Sequence, residues 1–315
     1  MKKIILKAFG KINLTLDVQD RRPDGYHRLS TVFRGIHLFD LISLEKKEEG
    51  LTLEADRKDL PQGPGNLAYD AALLMMEKFP QISGVHIRII KKIPVMAGLA
   101  GGSADAAAAL TGLNLLYELG LSRETLEAFA SELGSDVAFC LYPLAALGEG
   151  RGEILTPVDP GPMLWMVLAK PSFALSTAEI YLHYDQMNAA LATHPNARNM
   201  ILGLENQDLG EIYRAMGNAL EYPVFKIYPY LAQWGRDFRR MGAEAVLMAG
   251  SGPTLAAFAR EEEQARMLAS HMKRAEGWTV LLTRSLTEED LNRSMIYLGE
   301  ASVEENPIED IEGEE

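Results

Sequence analysis

The sequence predicts a folded chain of mixed strands and helices whose two halves meet at a cleft. Three observations carry this expectation. The 315 residues exceed the roughly 250–300 at which a single hydrophobic core stops growing. Both halves contain segments of alternating apolar residues and segments of helical spacing. Pro157, Pro160, Gly161 and Pro162 cluster mid-chain, placing a boundary near 156–162 that divides residues 1–158 from 159–285.

The elements follow in order. Ile12, Leu14, Leu16 and Val18 alternate and predict a strand over 11–18; the turn-like residues after it, with Pro23-Asp24-Gly25, make the opening a β-hairpin or ribbon. Residues 38–44 and 51–53 predict short strands joined by a charged, solvated turn. Asn66 is the expected N-cap of a helix running to Phe79, with Leu67, Ala71, Leu74, Met75 and Lys78 at helical spacing. Val85, Ile87 and Ile89 predict a half-buried strand that runs into Lys91-Lys92-Ile93-Pro94. The alanine-rich stretch 104–119 predicts a long helix with Leu110, Leu113, Leu116 and Tyr117 on its apolar side. Ser122 caps a second helix that stops at Gly134. In the second half, strands are expected over 164–169, 243–248 and 254–258, and a helix over 231–241. Residues 286–315 read as an acidic extension outside the core, largely disordered, with the acidic tail from Glu300 onward disordered throughout.

Composition narrows the function. With 47% hydrophobic and 24% charged residues the chain is an ordinary globular protein. Its net charge of −13 includes eight carboxylates within residues 300–315, so the body is mildly acidic, which speaks against nucleic acid as a partner. Cys140 is the one cysteine and sits in an apolar run, the setting of a buried structural thiol and not of a nucleophile. The N-terminal apolar run is too short for a signal peptide, and no stretch approaches the ~20 apolar residues of a membrane span. The expectation is a cytoplasmic protein without a membrane partner. One cysteine and six scattered histidines offer no zinc-ligand spacing, and no Gly-x-Ser-x-Gly elbow marks a hydrolase.

The chemistry gathers around Pro94-Val95-Met96-Ala97-Gly98-Leu99-Ala100-Gly101-Gly102-Ser103, between a strand and a long helix. Glycines let a backbone approach an anion, and the first helical N–H groups favour its negative charge, with Ser103 placed to cap the helix. The motif is neither a P-loop nor a dinucleotide fingerprint. Glycines that only permit tight helix packing would leave the same residues. A second turn, Gly250-Ser251-Gly252, lies between two strands, where such turns are common without a ligand. Lys11 inside an apolar strand and Asp136 beyond a helix end can act together, the carboxylate taking a hydroxyl proton and the lysine steadying phosphate charge. Spacing alone does not bring them together, and surface positions explain each equally well. Tyr26-His27 beside a tight turn can stack on and hydrogen-bond a heterocyclic base, although a partly exposed turn histidine is the commoner arrangement.

Taken in order, Lys11-Ile12-Asn13-Leu14, Arg22-Pro23-Asp24-Gly25-Tyr26-His27, Gly98 to Ala107, Gly134-Ser135-Asp136-Val137 and Gly250-Ser251-Gly252-Pro253 resemble the GHMP-superfamily kinases, over about residues 7–283. The resemblance implies an α+β, two-domain GHMP-kinase fold with its active site in the interdomain cleft. The Arg-Pro-Asp-Gly-Tyr-His segment resembles the branch that phosphorylates a cytidine-bearing methylerythritol in non-mevalonate isoprenoid synthesis. ATP, with Mg²⁺ carried chiefly on its phosphates, would occupy Asn66, Pro94 and Ala97 to Ser103. Asp136 would be the base for the 2-hydroxyl, oriented by Lys11. Asn13, Tyr26, His27, Thr177, Tyr181, Gly250, Ser251 and Gly252 would hold a small-molecule substrate bearing a cytidine diphosphate group. No protein metal ligands are implied, and a monomer or homodimer fits equally. Three positions depart from the family pattern: Ala100 and Ala104, where glycine and serine are usual, and Ala249, where serine is common. The rival expectations are a mevalonate- or homoserine-type kinase and a catalytically silent nucleotide-binding protein.

Overall fold

The computed structural model describes residues 1–187, 191–272 and 277–298. The chain opens with two long paired strands, β1 (Lys3–Arg21) and β2 (His27–Lys46), and then β3 (Gly50–Ala55), α1 (Leu67–Lys78) and β4 (Gly84–Ile90). Next come α2 (Gly101–Leu116), α3 (Arg123–Leu133), α4 (Val137–Cys140), β5 (Ala145–Glu149) and β6 (Ile154–Pro157). The second half holds β7 (Trp165–Pro171), α5 (Thr177–Gln186), α6 (Ala197–Glu205), α7 (Leu209–Ala215) and β8 (Gly217–Asn218). It closes with α8 (Glu221–Ile227), α9 (Pro229–Arg240), β9 (Ala245–Met248), β10 (Leu255–Ala259), α10 (Glu262–Met272), β11 (Trp278–Arg284), α11 (Glu288–Asn292) and β12 (Met295–Leu298).

Two sheets organise these elements. The first has the order β12-β1-β2-β4-β3, with β5 and β6 continuing from β2 and the short β8 beside β1; the second is β11-β7-β10-β9. The chain passes from the first sheet to the second between β6 and β7, within the proline-rich stretch, and β8 and β12 return to the first sheet beside β1. Helix α2 lies across β1 and β2, and its alanines are what allow that. Ala104, Ala106, Ala107 and Ala109 are buried, and a Cβ at Gly112 would come within 2.3 Å of Leu44 Cδ1. Only small side chains let the helix settle so near the sheet.

The two halves do not have separate cores. Met166, Leu247, Ala249 and Phe258 from the second sheet belong to the apolar cluster that contains Ile12, Phe33 and Leu110, whereas Leu16 and Val18 of β1 join the second cluster. Arg34, 2% exposed, stitches the halves further by donating to the Leu144 carbonyl at 2.7 Å and to Ser285 Oγ at 3.3 Å. Burial lowers its guanidinium to about 10.

The extension from 286 onward, expected to be largely disordered, is instead structured as far as 298. Thr287 and Asp290 form a capping box on α11, Arg284 grips Asp290 with bonds of 2.7 and 2.8 Å, and β12 pairs antiparallel with β1. The rest of the acidic tail, from residue 299 on, lies outside the described residues.

Candidate active site

Strand β1 supplies the floor. Lys11, Asn13 and Thr15 project polar side chains into an otherwise apolar strand, and all three are buried. They are satisfied as a set: Lys11 Nζ donates to Asn13 Oδ1 at 2.9 Å, Asn13 Nδ2 to Thr31 Oγ1 at 2.8 Å, and Thr31 Oγ1 to the Thr15 carbonyl at 2.6 Å. The chain of bonds leaves the ammonium few alternative positions. Asp136 Oδ2 approaches Lys11 Nζ to 3.2 Å; the lysine side chain is 5% exposed and the aspartate 35%. Two residues remote in sequence therefore meet. Asp136 directly precedes α4, yet its side chain makes no capping bond, so the carboxylate is available to the cleft it lines. Cys140 sits behind it, and burial together with the Asp136 charge pushes its thiol well above the usual range, which fits a structural role.

The glycine turn enters α2 differently from the expected serine cap. Ala100 itself occupies the N-cap position, in the left-handed region at φ 59°, and no side chain caps the helix; Ser103 lies within the first turn and faces the cleft. The first helical bond runs from the Ala104 N–H to the Ala100 carbonyl at 2.9 Å. The amides of Gly101, Gly102 and Ser103 are thus without helical acceptors, the arrangement that suits an anion. Below the turn, Lys91 Nζ donates to Asp40 Oδ2 at 2.5 Å and to Asp105 Oδ2 at 2.7 Å, while Asp40 Oδ1 accepts the amides of Lys92 and Ile93. Burial and the Asp40 charge push the Asp105 carboxyl well up.

The second glycine turn packs directly on the first. Gly98, at φ 77°, lies so near that a Cβ there would fall 2.0 Å from the Ala249 carbonyl oxygen. Asn218, fully buried, donates to the Met248 and Gly250 carbonyls at 2.8 and 2.7 Å, and Glu221 accepts the Met248 amide at 2.8 Å. Ser251 and Thr177 share a 2.7 Å hydroxyl contact.

At the other end of the cleft, His27 is buried rather than partly exposed. Its Nε2 lies 2.7 Å from Asp185 Oδ1, and the ring of Tyr181 stacks on it at 5.4 Å with an interplanar angle of 23°. Burial, chiefly, pushes the Tyr181 hydroxyl above its ordinary value. Tyr26 is 58% exposed, with the Arg151 guanidinium 5.1 Å above its ring.

The cleft encloses about 930 Å³ and brings together Lys11, Asn13, Tyr26, His27, Gly98, Ala100, Ser103, Asp136, Thr177, Tyr181, Gly250, Ser251 and Gly252. Pro94, Ala97, Leu99, Gly101 and Gly102 lie in or beside the turn without lining this cavity, and Asn66 is occupied as the cap of α1, accepting the Ala68 amide at 3.1 Å. The sequence reading missed Asp185, Arg21, Arg151, Asn218 and Glu221. Asp185 alone had a local signal, standing one helical turn after Tyr181 and so on the same face.

Known proteins resemble the chain in sequence and in fold. The model of the GHMP kinases N terminal domain matches residues 66–143, and that of the GHMP kinases C terminal matches 200–276. A 4-diphosphocytidyl-2-C-methyl-D-erythritol kinase of Geobacillus thermodenitrificans is 46% identical over 269 residues, covering 84% of this chain and 90% of its own. One from Moorella thermoacetica is 42% identical and is covered completely, against 91% of this chain. A crystal structure of 4-(cytidine 5'-diphospho)-2C-methyl-D-erythritol kinase superposes with a TM-score of 0.77 at 32% identity, over 89% of this chain and 98% of that one. A homoserine kinase from Cytophaga hutchinsonii, at 19% identity and a TM-score of 0.73, shares the fold. Fold and cleft together define a small-molecule kinase of the GHMP type. Within that class, the chain belongs to the 4-diphosphocytidyl-2-C-methyl-D-erythritol kinase family.

Proposed function

We propose that the chain transfers the γ-phosphoryl group of ATP to the 2-hydroxyl of 4-diphosphocytidyl-2-C-methyl-D-erythritol, giving the 2-phosphate and ADP in non-mevalonate isoprenoid precursor synthesis. The observation that carries this reading is the Lys11–Asp136 pair, 3.2 Å apart, set in one cleft between the glycine turn and the Tyr26–His27–Tyr181 cluster. Asp136 takes the proton as the hydroxyl oxygen bonds to phosphorus and the bridging oxygen leaves with ADP. Lys11, fixed by Asn13, stabilises the charge spread over the transferring group. Phosphoryl transfer asks for positioning and charge stabilisation more than for covalent chemistry, and these groups supply both.

ATP phosphates suit the free amides of Gly101, Gly102 and Ser103, and the nucleoside suits the aromatic end of the cleft. Mg²⁺ would ride chiefly on the ATP phosphates. Among the described residues no helix is long and apolar enough to cross a membrane. The single cysteine adds support for a cytoplasmic setting, in which the enzyme would work as a monomer or homodimer. The test is ATP turnover on the cytidylyl substrate beside mevalonate and homoserine. Turnover of the cytidylyl alcohol alone is expected, and activity confined to the other two would overturn the substrate assignment.

A further inference from the structure

His27 is held from three directions by helix α5 of the opposite half. Tyr181 covers one face of the ring, Tyr184 meets it edge-on with centroids 6.1 Å apart, and Asp185 hydrogen-bonds Nε2 at 2.7 Å. Arg21 lies 3.8 Å from the other Asp185 oxygen. An ionised carboxylate can only accept, so Nε2 must carry the hydrogen. The neutral ring then has its lone pair on Nδ1, which has no hydrogen-bond partner among the described residues and is not sealed from solvent. The state of one ring nitrogen is thus set by what the other one bonds.

A pyrimidine base in this part of the cleft meets an acceptor. Cytosine presents a 4-amino donor, whereas uracil has a carbonyl oxygen at the same position. We propose that Asp185 is the positioning residue that makes this enzyme discriminate cytosine from uracil: it fixes the hydrogen of His27 on Nε2, leaving Nδ1 to accept from the 4-amino group of the bound base. The inference rests on the reading of the substrate as a cytidine diphosphate alcohol, and it adds a specificity determinant one helical turn beyond Tyr181 on α5.

The test compares kcat/KM for the cytidylyl substrate with that for its uridylyl counterpart in wild type, Asp185→Leu and Asp185→Asn. Asp185→Leu keeps the bulk and removes the acceptor, so both ring tautomers become available. The cytidylyl preference is expected to fall about 10–100-fold, the scale of one hydrogen bond to a charged partner, with KM for ATP unchanged. Asp185→Asn can donate its amide to Nε2 and so offers the wrong tautomer, as replacing the buried carboxylate does in serine-protease triads. It is expected to lower the preference further. Imidazole ¹⁵N shifts of wild-type His27 provide a readout independent of turnover, with the hydrogen expected on Nε2.

An unchanged preference in both variants, or a wild-type hydrogen on Nδ1, would overturn the proposal while leaving the substrate assignment standing. Failure of wild type to phosphorylate the cytidylyl substrate would instead overturn that assignment, and the proposal with it.

Discussion

Replacing Gly98 by alanine tests whether the two glycine turns must touch. At φ 77° any L side chain carries a conformational penalty of about 1–2 kcal/mol. The larger effect is contact. The new Cβ would sit 2.0 Å from the Ala249 oxygen, whereas unstrained carbon contacts begin near 3.5 Å, so the turns would have to separate by more than about 1 Å. A misplacement of about 1 Å in a site that works by positioning costs on the order of 10²-fold. Steady-state ADP release should show that loss, with kcat and KM for ATP both affected. Gly120→Ala is the control: its φ is 65°, but its Cβ would meet nothing within 4 Å. It bears the conformational penalty alone and should lower the melting temperature without lowering turnover. If Gly98→Ala turns over as Gly120→Ala does, close approach of the turns is not needed for catalysis.

Asp136→Ala should still bind ATP while turnover falls about 10²–10⁴-fold; wild-type turnover in the variant would remove Asp136 from the mechanism. Ala100→Gly relieves a residue held at φ 59° and should stabilise the fold by about 0.5–1 kcal/mol, with denaturant unfolding showing no gain if the backbone adapts to alanine without strain. Glu221 is raised by burial to about 7, against which the Met248 amide bond and Arg239 work only in part. The stability it contributes is therefore full below the unfolded carboxyl value of about 4.3 and is lost as pH rises through about 7. Glu221→Gln, uncharged throughout and still able to accept the Met248 amide, should melt higher than wild type at pH 8, with the gain shrinking toward pH 4.5; equal gains at both pH values would refute the assignment.

What could be read from the sequence was local. Asn66 and Ser122 cap their helices as expected because a cap is a bond between neighbours, Asn66 Oδ1 to Ala68 N and Ser122 Oγ to Thr125 N. Ser103 misled because the start of α2 is set by the left-handed turn at Ala100, a conformation that an alanine does not announce. The reading singled out Lys11 and Asp136 by their unusual surroundings, yet only the packing of α4 against β1 brings them within 3.2 Å. The same limit hid Asn218 and Asp185, which act on turns and rings far along the chain. Strand β12 was missed because its partner lies at the opposite end of the chain, on β1.

The interleaved cores bear on how this protein can be divided. A cut in the proline-rich connection at residue 158 resembles a natural seam, but it would split the buried cluster that unites Ile12 and Phe33 with Met166, Ala249 and Phe258 and leave the Arg34 guanidinium short of Ser285. The two halves are accordingly not exchangeable parts. A chimaera joining one relative's first half to another's second would inherit a mismatched interior before any question of substrate arose.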